Sequence, residues 1–308
     1  MARPSPPTAA VIVVVFAAGL FTVWLVGQLF RDWLWLTALC FYFPSLLAAI
    51  FLVMVAGWLL LRRRRWMACA VGLLAIGPLA FVLVVENRWL PPPSPNNPAG
   101  RLRLVHWNVF DGNLGWDRVG ETLKALGADA YALSEAYDDD ALARIARELG
   151  EEYVVVRRGD LAVLARGRLN VSRVESFGKA HWFTADWEVE ENRLKLMVVD
   201  LPSNPRVERG PLLAAVRASI EDAWPDVVVG DFNAPRRSQG LTDLPPGFTH
   251  AYDRVGSGWS STWPVPVPMW AIDQCLVGPR VEPLRYELRT TAASDHRLQV
   301  LDFRRPAR

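Results

Sequence analysis

The chain has 308 residues, a hydrophobic share of 51% and a formal net charge of +2. That length suits about two domains at ~100–200 residues each. Cysteine is restricted to Cys40, Cys69 and Cys275, so residues 101–308 cannot hold a disulfide framework or a cysteine zinc site. The near-neutral average hides an asymmetry: residues 1–90 are almost free of carboxylates, and the rest of the chain carries nearly all of them.

Residues 1–86 read as a transmembrane region of three helices, at about 9–30, 34–61 and 66–86. Each has the ~20 apolar residues that a bilayer core of ~30 Å requires of a helix. Trp33, Trp35, Trp58 and Trp66 lie near the expected ends, where amphipathic rings suit the interface. A signal peptide would have one short apolar region and a cleavage site, not three long runs. The lipid bilayer is therefore the first expected partner. Arg62–Arg65 between the second and third runs should stay on the cytoplasmic side, which sends everything after residue 86 to the far face. In a bacterium, that makes an inner-membrane protein with a periplasmic or extracytoplasmic C-terminal domain. Residues 87–100, NRWLPPPSPNNPAG, read as a stiff proline-rich linker.

From residue 101 the pattern changes to alternating strands and helices. Strand character at 101–110 is followed by helical spacing at 116–127, a short apolar strand at 128–138 and a helix at 139–150 capped by Asp139 or Asp140. YVVVRR, LAVLAR, HWFTADWEVE and RLKLMVVDL read as strands, and 210–223 as a helix. DVVVGDFN is a further strand, followed by a loop-rich stretch to about residue 270 and three last strands at 271–278, 285–290 and 297–303. This order predicts an α/β sandwich of two packed sheets flanked by helices. GxGxxG and the phosphate-loop pattern are absent.

Polar groups gather at strand ends: Asn108 after LRLVHW, Glu135 after AYALS, Asp231 and Asn233 after VVVG, and Asp273 after WAI. Ser294, Asp295 and His296 precede the last strand. Rigid strand ends can bring such groups to one cleft with little freedom to lose. Oxygen ligands without cysteine suit a hard cation such as Mg2+ or Mn2+. A histidine beside carboxylates suits acid–base work near neutral pH.

LRLVHWNV, ADAYALSE, VVVGDFNA, STWP with IDQCLV, and ASDHRLQV occur in that order over residues 101–303. Together they resemble the endonuclease/exonuclease/phosphatase superfamily, the pancreatic-deoxyribonuclease-like fold. The resemblance implies a four-layer α/β-β/α sandwich over 101–308 and metal-dependent hydrolysis of a phosphate ester. It implies Glu135 as principal metal ligand with Asn108 beside it, and Asp295 as a further metal-site carboxylate. It implies that Asp231 orients or deprotonates the attacking water and that Asn233 holds the phosphate or that water. His296 would bind the scissile phosphate, with Asp273 fixing its tautomer. The substrate would be a nucleic acid, a lipid head group or a small phosphate ester. The soluble half lacks a long lysine-rich stripe of the kind that tracks a nucleic-acid backbone.

One position departs from the family pattern. Where the family usually has a catalytic histidine, this chain has Asp200, in LKLMVVDLPSNP. Either Asp200 is an extra metal ligand in a variant site, or catalysis is weakened or lost and the domain is a membrane-anchored binding or scaffold module. His181 and His250 read as ordinary surface histidines, Trp263 and Trp270 as packing residues, and Arg206 and Arg209 as candidate phosphate contacts or solvated loop residues.

Overall fold

A computed structural model describes residues 7–90, 92 and 99–306. It divides into two compact units, residues 1–88 and 89–308. Half of the expected linker at 87–100, residues 91 and 93–98, falls outside the described residues.

The first unit is helical: α1 (Pro7–Phe30), α2 (Trp35–Phe41), α3 (Ser45–Leu61) and α4 (Arg65–Phe81). Thr8–Phe30 and Arg65–Glu86 are long and apolar enough to cross a membrane, with mean hydropathies of 2.7 and 2.6. The run at 34–61, expected as one helix, is two helices bent by 61°. Pro44 lies at the break: it has no N–H to give a preceding turn, and it disfavours helical backbone at Phe43. The unit therefore has two candidate spans, or three if the bent pair counts as one. Within it, Trp24 Nε1 donates to Ser45 Oγ at 3.0 Å, and Ser45 Oγ donates to Glu86 Oε1 at 2.6 Å.

The second unit has two six-stranded sheets. The first is ordered β11 (Glu282–Arg289), β12 (Leu298–Arg304), β1 (Leu102–Asn108), β2 (Ala130–Ser134), β4 (Leu161–Arg166) and β3 (Tyr153–Arg158). The second is ordered β5 (Arg168–Phe177), β6 (Ala180–Val189), β7 (Asn192–Asp200), β8 (Val227–Asp231), β10 (Asp273–Val277) and β9 (Thr249–His250). Their facing sides share one core that includes Leu104, Ala132, Val163, Phe183, Val198 and Val229. The outer face of the first sheet is covered by α5 (Trp116–Leu126) and α6 (Asp139–Leu149) through Val119, Leu123, Leu142 and Ile145. The outer face of the second is covered by α7 (Arg209–Ala223) through Leu212, Leu213, Val216 and Ile220. This is the expected α/β-β/α sandwich. The central strands β2 and β8 are buried throughout, which explains their unbroken apolar sequences.

Three local expectations change. The cap of α6 is Asp138, whose carboxylate accepts from the Ala141 N–H at 2.9 Å. RLNVSRVESF, which was not read as a strand, forms the edge strand β5; its mostly exposed residues gave no clear apolar alternation. The stretch read as loop contains the short helices α8 (Gln239–Thr242) and α9 (Ala251–Val255) as well as β9.

Candidate active site

Strand direction brings the polar ends together. β1 runs parallel to β2, and β7 parallel to β8, so Asn108, Glu135, Asp200 and Asp231 emerge at strand C-terminal ends. β10 runs antiparallel to β8, so its first residue, Asp273, pairs with the last of β8, Asp231. β12 runs antiparallel to β1, which returns Ser294–His296 to the same edge.

One amide joins the two sheets. Asn108 Nδ2 donates to Glu135 Oε1 at 3.0 Å and to Asp231 Oδ2 at 3.1 Å. Its Oδ1 accepts from the Phe110 N–H at 3.0 Å. Asn108 thus stands beside Glu135 with its nitrogen toward the carboxylate and clamps two carboxylates, while its oxygen is engaged by the Phe110 N–H. Asp231 Oδ1 accepts from the Asn233 N–H at 2.8 Å, closing a short side-chain turn. Asn233 Nδ2 donates to the Leu201 carbonyl at 2.7 Å, which ties this loop to the end of β7.

The loop backbone is strained around these side chains. Glu135 has φ 52°, Asn233 φ 44°, and Phe110 and Asp111 φ 51° and 50°. Non-glycine residues in this left-handed region cost free energy and cluster where a site fixes them. Gly230 is demanded by packing: a Cβ there would stand 2.0 Å from the Val199 carbonyl oxygen.

His296 is buried, with Nδ1 at 2.9 Å from Asp273 Oδ2 and Nε2 at 3.9 Å from Asp231 Oδ2. Its backbone is held at both ends. The His296 N–H donates to Ser294 Oγ at 3.0 Å, and its carbonyl accepts from Trp107 Nε1 at 3.1 Å. Ser294 Oγ in turn donates to the Asn108 carbonyl at 2.7 Å, so the two polar strand ends are locked in register. Asp295 Oδ2 accepts from Trp263 Nε1 at 2.9 Å, while its Oδ1 is buried without a hydrogen-bond partner. Trp263 also packs against Trp270, at 5.4 Å between ring centroids, and lies near the His296 ring.

The electrostatics follow from burial and crowding. Burial opposes a charge on His296, but the Asp273 carboxylate and its hydrogen bond outweigh that and lift the imidazole to about 10. Burial likewise works against ionised Asp273, and the charge of His296 overcomes it, so Asp273 stays below the usual carboxylate range. Asp231 rises to about 7 through burial and the neighbouring Asp273, despite donors from Asn233 and Asn108. Asp200 is pushed well above the usual range, first by burial and then by Asp231, Asp160, Glu135 and Asp273.

That surplus of negative charge fits a divalent cation. Carboxylate oxygens are ligands for hard ions, and the orphaned Asp273 Oδ1 and Asp295 Oδ1 show acceptor capacity that the protein does not fill. Asp231, Asp273 and His296 each place one potential ligand atom within 4.8 Å of the others. Glu135 joins them through the shared Asn108 amide.

Several side chains differ from their expected settings. His250 is buried, with Nε2 at 2.8 Å from the Leu241 carbonyl, and is not a surface residue. His181 is half-buried and pairs with Asp160 next to Asp200. Arg209 is buried and donates from Nε to the Asn233 carbonyl at 3.0 Å, bracing the site loop and not reaching toward solvent. Asp160 and Tyr137, whose hydroxyl donates to Asp160 Oδ2 at 2.9 Å, were not singled out in the sequence. A cavity of about 510 Å³ opens at the opposite ends of β6 and β7, lined in part by Asp186, Glu188, Arg193 and Lys195, and contains none of the convergent residues.

The model of the endonuclease/exonuclease/phosphatase family matches residues 105–296. The chain belongs to that family. Family members are hydrolases acting on phosphoester bonds. No curated protein matches the sequence. Among solved structures, humanized D. rerio TDP2 carrying 14 mutations is similar at 20% identity with a TM-score of 0.55; 66% of this chain and 98% of that chain are covered. The mannosyl-6-phosphatase of Bacteroides thetaiotaomicron is similar at 13% identity and a TM-score of 0.52, with 66% and 99% covered. The human Nocturnin catalytic domain, solved with a sulfate anion, is similar at 16% identity and 0.52, with 70% and 99% covered. At these identities the likeness is one of fold.

Proposed function

We propose that the protein is a membrane-tethered, divalent-metal-dependent phosphoesterase whose catalytic domain faces away from the cytoplasm. The observation that carries this reading is the single Asn108 amide bound to both Glu135 and Asp231, with the Asp273–His296 pair against Asp231. Glu135 and Asp295 are the carboxylates proposed to hold Mg2+ or Mn2+, with Asn108 setting the angle of Glu135. A divalent ion there supplies charge stabilisation to the phosphoryl oxygens.

The other roles belong to the chain itself. Asp231 accepts a proton from, or orients, the attacking water, because its carboxylate is fixed by donors on both oxygens. His296 is cationic and held by Asp273, so its Nε2–H is a preorganised donor to a non-bridging phosphate oxygen. Asn233 fixes the loop that carries Asp231 and adds a polar group at the phosphate. Asp200 adds negative charge where a phosphate would need a cation, and this requires a positive charge of some other origin.

The membrane part of the reading rests on the two apolar helices long enough to span and on Arg62–Arg65, which run from the end of α3 into the first residue of α4. Reporter fusions after residues 64 and 308 test the orientation; activity of an extracytoplasmic reporter at 64, or of a cytoplasmic one at 308, reverses it. The substrate is a phosphate ester reached outside the cytoplasm: nucleic acid, lipid head group or small molecule. The experiment is hydrolysis of bis-(p-nitrophenyl) phosphate and a panel of phosphomonoesters, DNA and phospholipids by the full chain in detergent. Activity that needs Mg2+ or Mn2+ and is lost with a chelator supports the proposal. Absence of turnover with every ester and metal supports a binding module instead.

A further inference from the structure

We infer that Asp160, His181 and Asp200 form a second cation site, beside the Glu135 site, that takes a transition-metal ion of the Zn2+ or Mn2+ class. The three residues come from separate places: Asp160 from the turn between β3 and β4, His181 from the start of β6 and Asp200 from the end of β7. One ligand atom of each lies within 4.8 Å of the other two. Ligand atoms around a Zn2+ ion, at ~2.0–2.2 Å from it, stand about 3–4 Å apart. Small side-chain adjustments therefore suffice.

Two features mark this cluster as more than a patch of acids. The imidazole is already turned into the cluster: its Nε2 points at Asp160 Oδ1. Asp160 is buried, and the Tyr137 hydroxyl holds its second oxygen, leaving the first for the cluster. Asp200 is half-buried, and among the described residues no hydrogen bond or ion pair satisfies its carboxyl. It is an unfilled acceptor between Asp231 on one neighbouring strand and His181 on the other.

Imidazole with two carboxylates is a mixed nitrogen and oxygen set that suits Zn2+ and that Mn2+ accepts more readily than Mg2+, which prefers oxygen and water. An ion here would supply the positive charge that Asp200 takes away. That last role rests on the phosphoesterase reading; binding of the ion does not.

The test uses the full chain in detergent with excess Mg2+ present and Mn2+ added, read by electron spin-echo envelope modulation and by metal content. The expected result is one Mn2+ retained per chain, with nitrogen modulation from one imidazole. H181A should abolish the modulation and lower affinity at least tenfold, and D200N should weaken binding similarly. E135Q should leave this Mn2+ and its nitrogen signal in place. Circular dichroism and thermal melting of each variant establish that it is folded. No nitrogen modulation in the wild type, or Mn2+ binding indifferent to both H181A and D200N, would overturn the inference. Loss of ester hydrolysis alone, with Mn2+ still on His181, would sink only the catalytic reading.

Discussion

Asp200 and Asp231 are direct partners in the parallel β7–β8 ladder, so two carboxylates leave the second sheet side by side. Across the other flank of β7, Asp200 pairs with His181, and across β8, Asp231 pairs with Asp273. Four adjacent strands thus present His, Asp, Asp and Asp in a row. His296 offsets part of this charge at Asp231 and Asp273, and Asp200 is left crowded by its neighbours.

The first prediction concerns that repulsion. The folded-state pKa of Asp200 is raised, so its ionised form opposes folding at neutral pH, and this cost vanishes at pH below the ordinary carboxylate range. D200N in the presence of a chelator should melt about 2–4 °C above the wild type at pH 7.5. The difference should disappear near pH 3.5. A scanning calorimetry series over pH checks both halves.

The Asp273–His296 pair sets the alkaline limit of activity. The Asp273 carboxylate is what raises His296 to about 10 against the opposing effect of burial. Removing that charge in D273N lets burial dominate. The alkaline limb of the kcat/KM profile should then move down by more than two pH units, with a loss of at least about tenfold at pH 8. An unchanged alkaline limb would remove His296 from the role of cationic phosphate donor.

His250 controls acid stability away from the site. Burial depresses it to about 4, against 6.5 for the free side chain. The unfolded chain therefore takes up a proton that the folded one refuses, and stability falls as pH drops from about 6.5 toward 4, by up to about 3 kcal/mol. H250Q should flatten this part of the urea-unfolding profile. His106, also lowered to about 4 by burial, should leave a second, similar slope.

Gly230 tests how tightly the β8 tip is seated. A methyl group there meets the backbone oxygen of Val199, which cannot swing aside as a side chain could. G230A should cost at least about 3 kcal/mol or prevent folding, a size reserved for overpacking and strain in a core. Chemical denaturation compared with a Gly178→Ala control would measure it; a Cβ at Gly178 meets nothing within 4 Å, so only its left-handed φ is charged to the variant.

Much of this architecture was legible because the signals were local. VVVGDFN reads as a buried strand with polar residues at its tip, and the tip residues lie where strand ends would put them. The helices on 116–126 and 209–223 are amphipathic or apolar on one face and ended close to where expected. What escaped needed information across the chain. β5 is an edge strand whose residues mostly face solvent, so it lacked the apolar alternation that identifies a strand. The break at Pro44 sat inside an unbroken apolar run, and hydrophobicity hid it.

His181 was legible in principle. The β6–β7 hairpin turns at Glu190 and Glu191, with Val189 opposite Asn192. Equal steps back along both strands place His181 opposite Asp200. Register fixed by a tight turn would have found the histidine beside the aspartate. Asp160 had no comparable signal, because its approach depends on how the two sheets pack. The inward turn of Arg209 was hidden for the same reason: its carbonyl partner at Asn233 is distant in sequence.

The most direct test of the central claim, that residues from both sheets share one cation-bearing cleft, is anomalous diffraction from crystals of the full chain soaked in Mn2+. The account predicts a peak about 2.1 Å from a Glu135 carboxylate oxygen, on the side where Asn108 also binds Asp231. A map with no peak at Glu135, or with Glu135 and the Asp273–His296 pair opening onto separate surfaces, would contradict it.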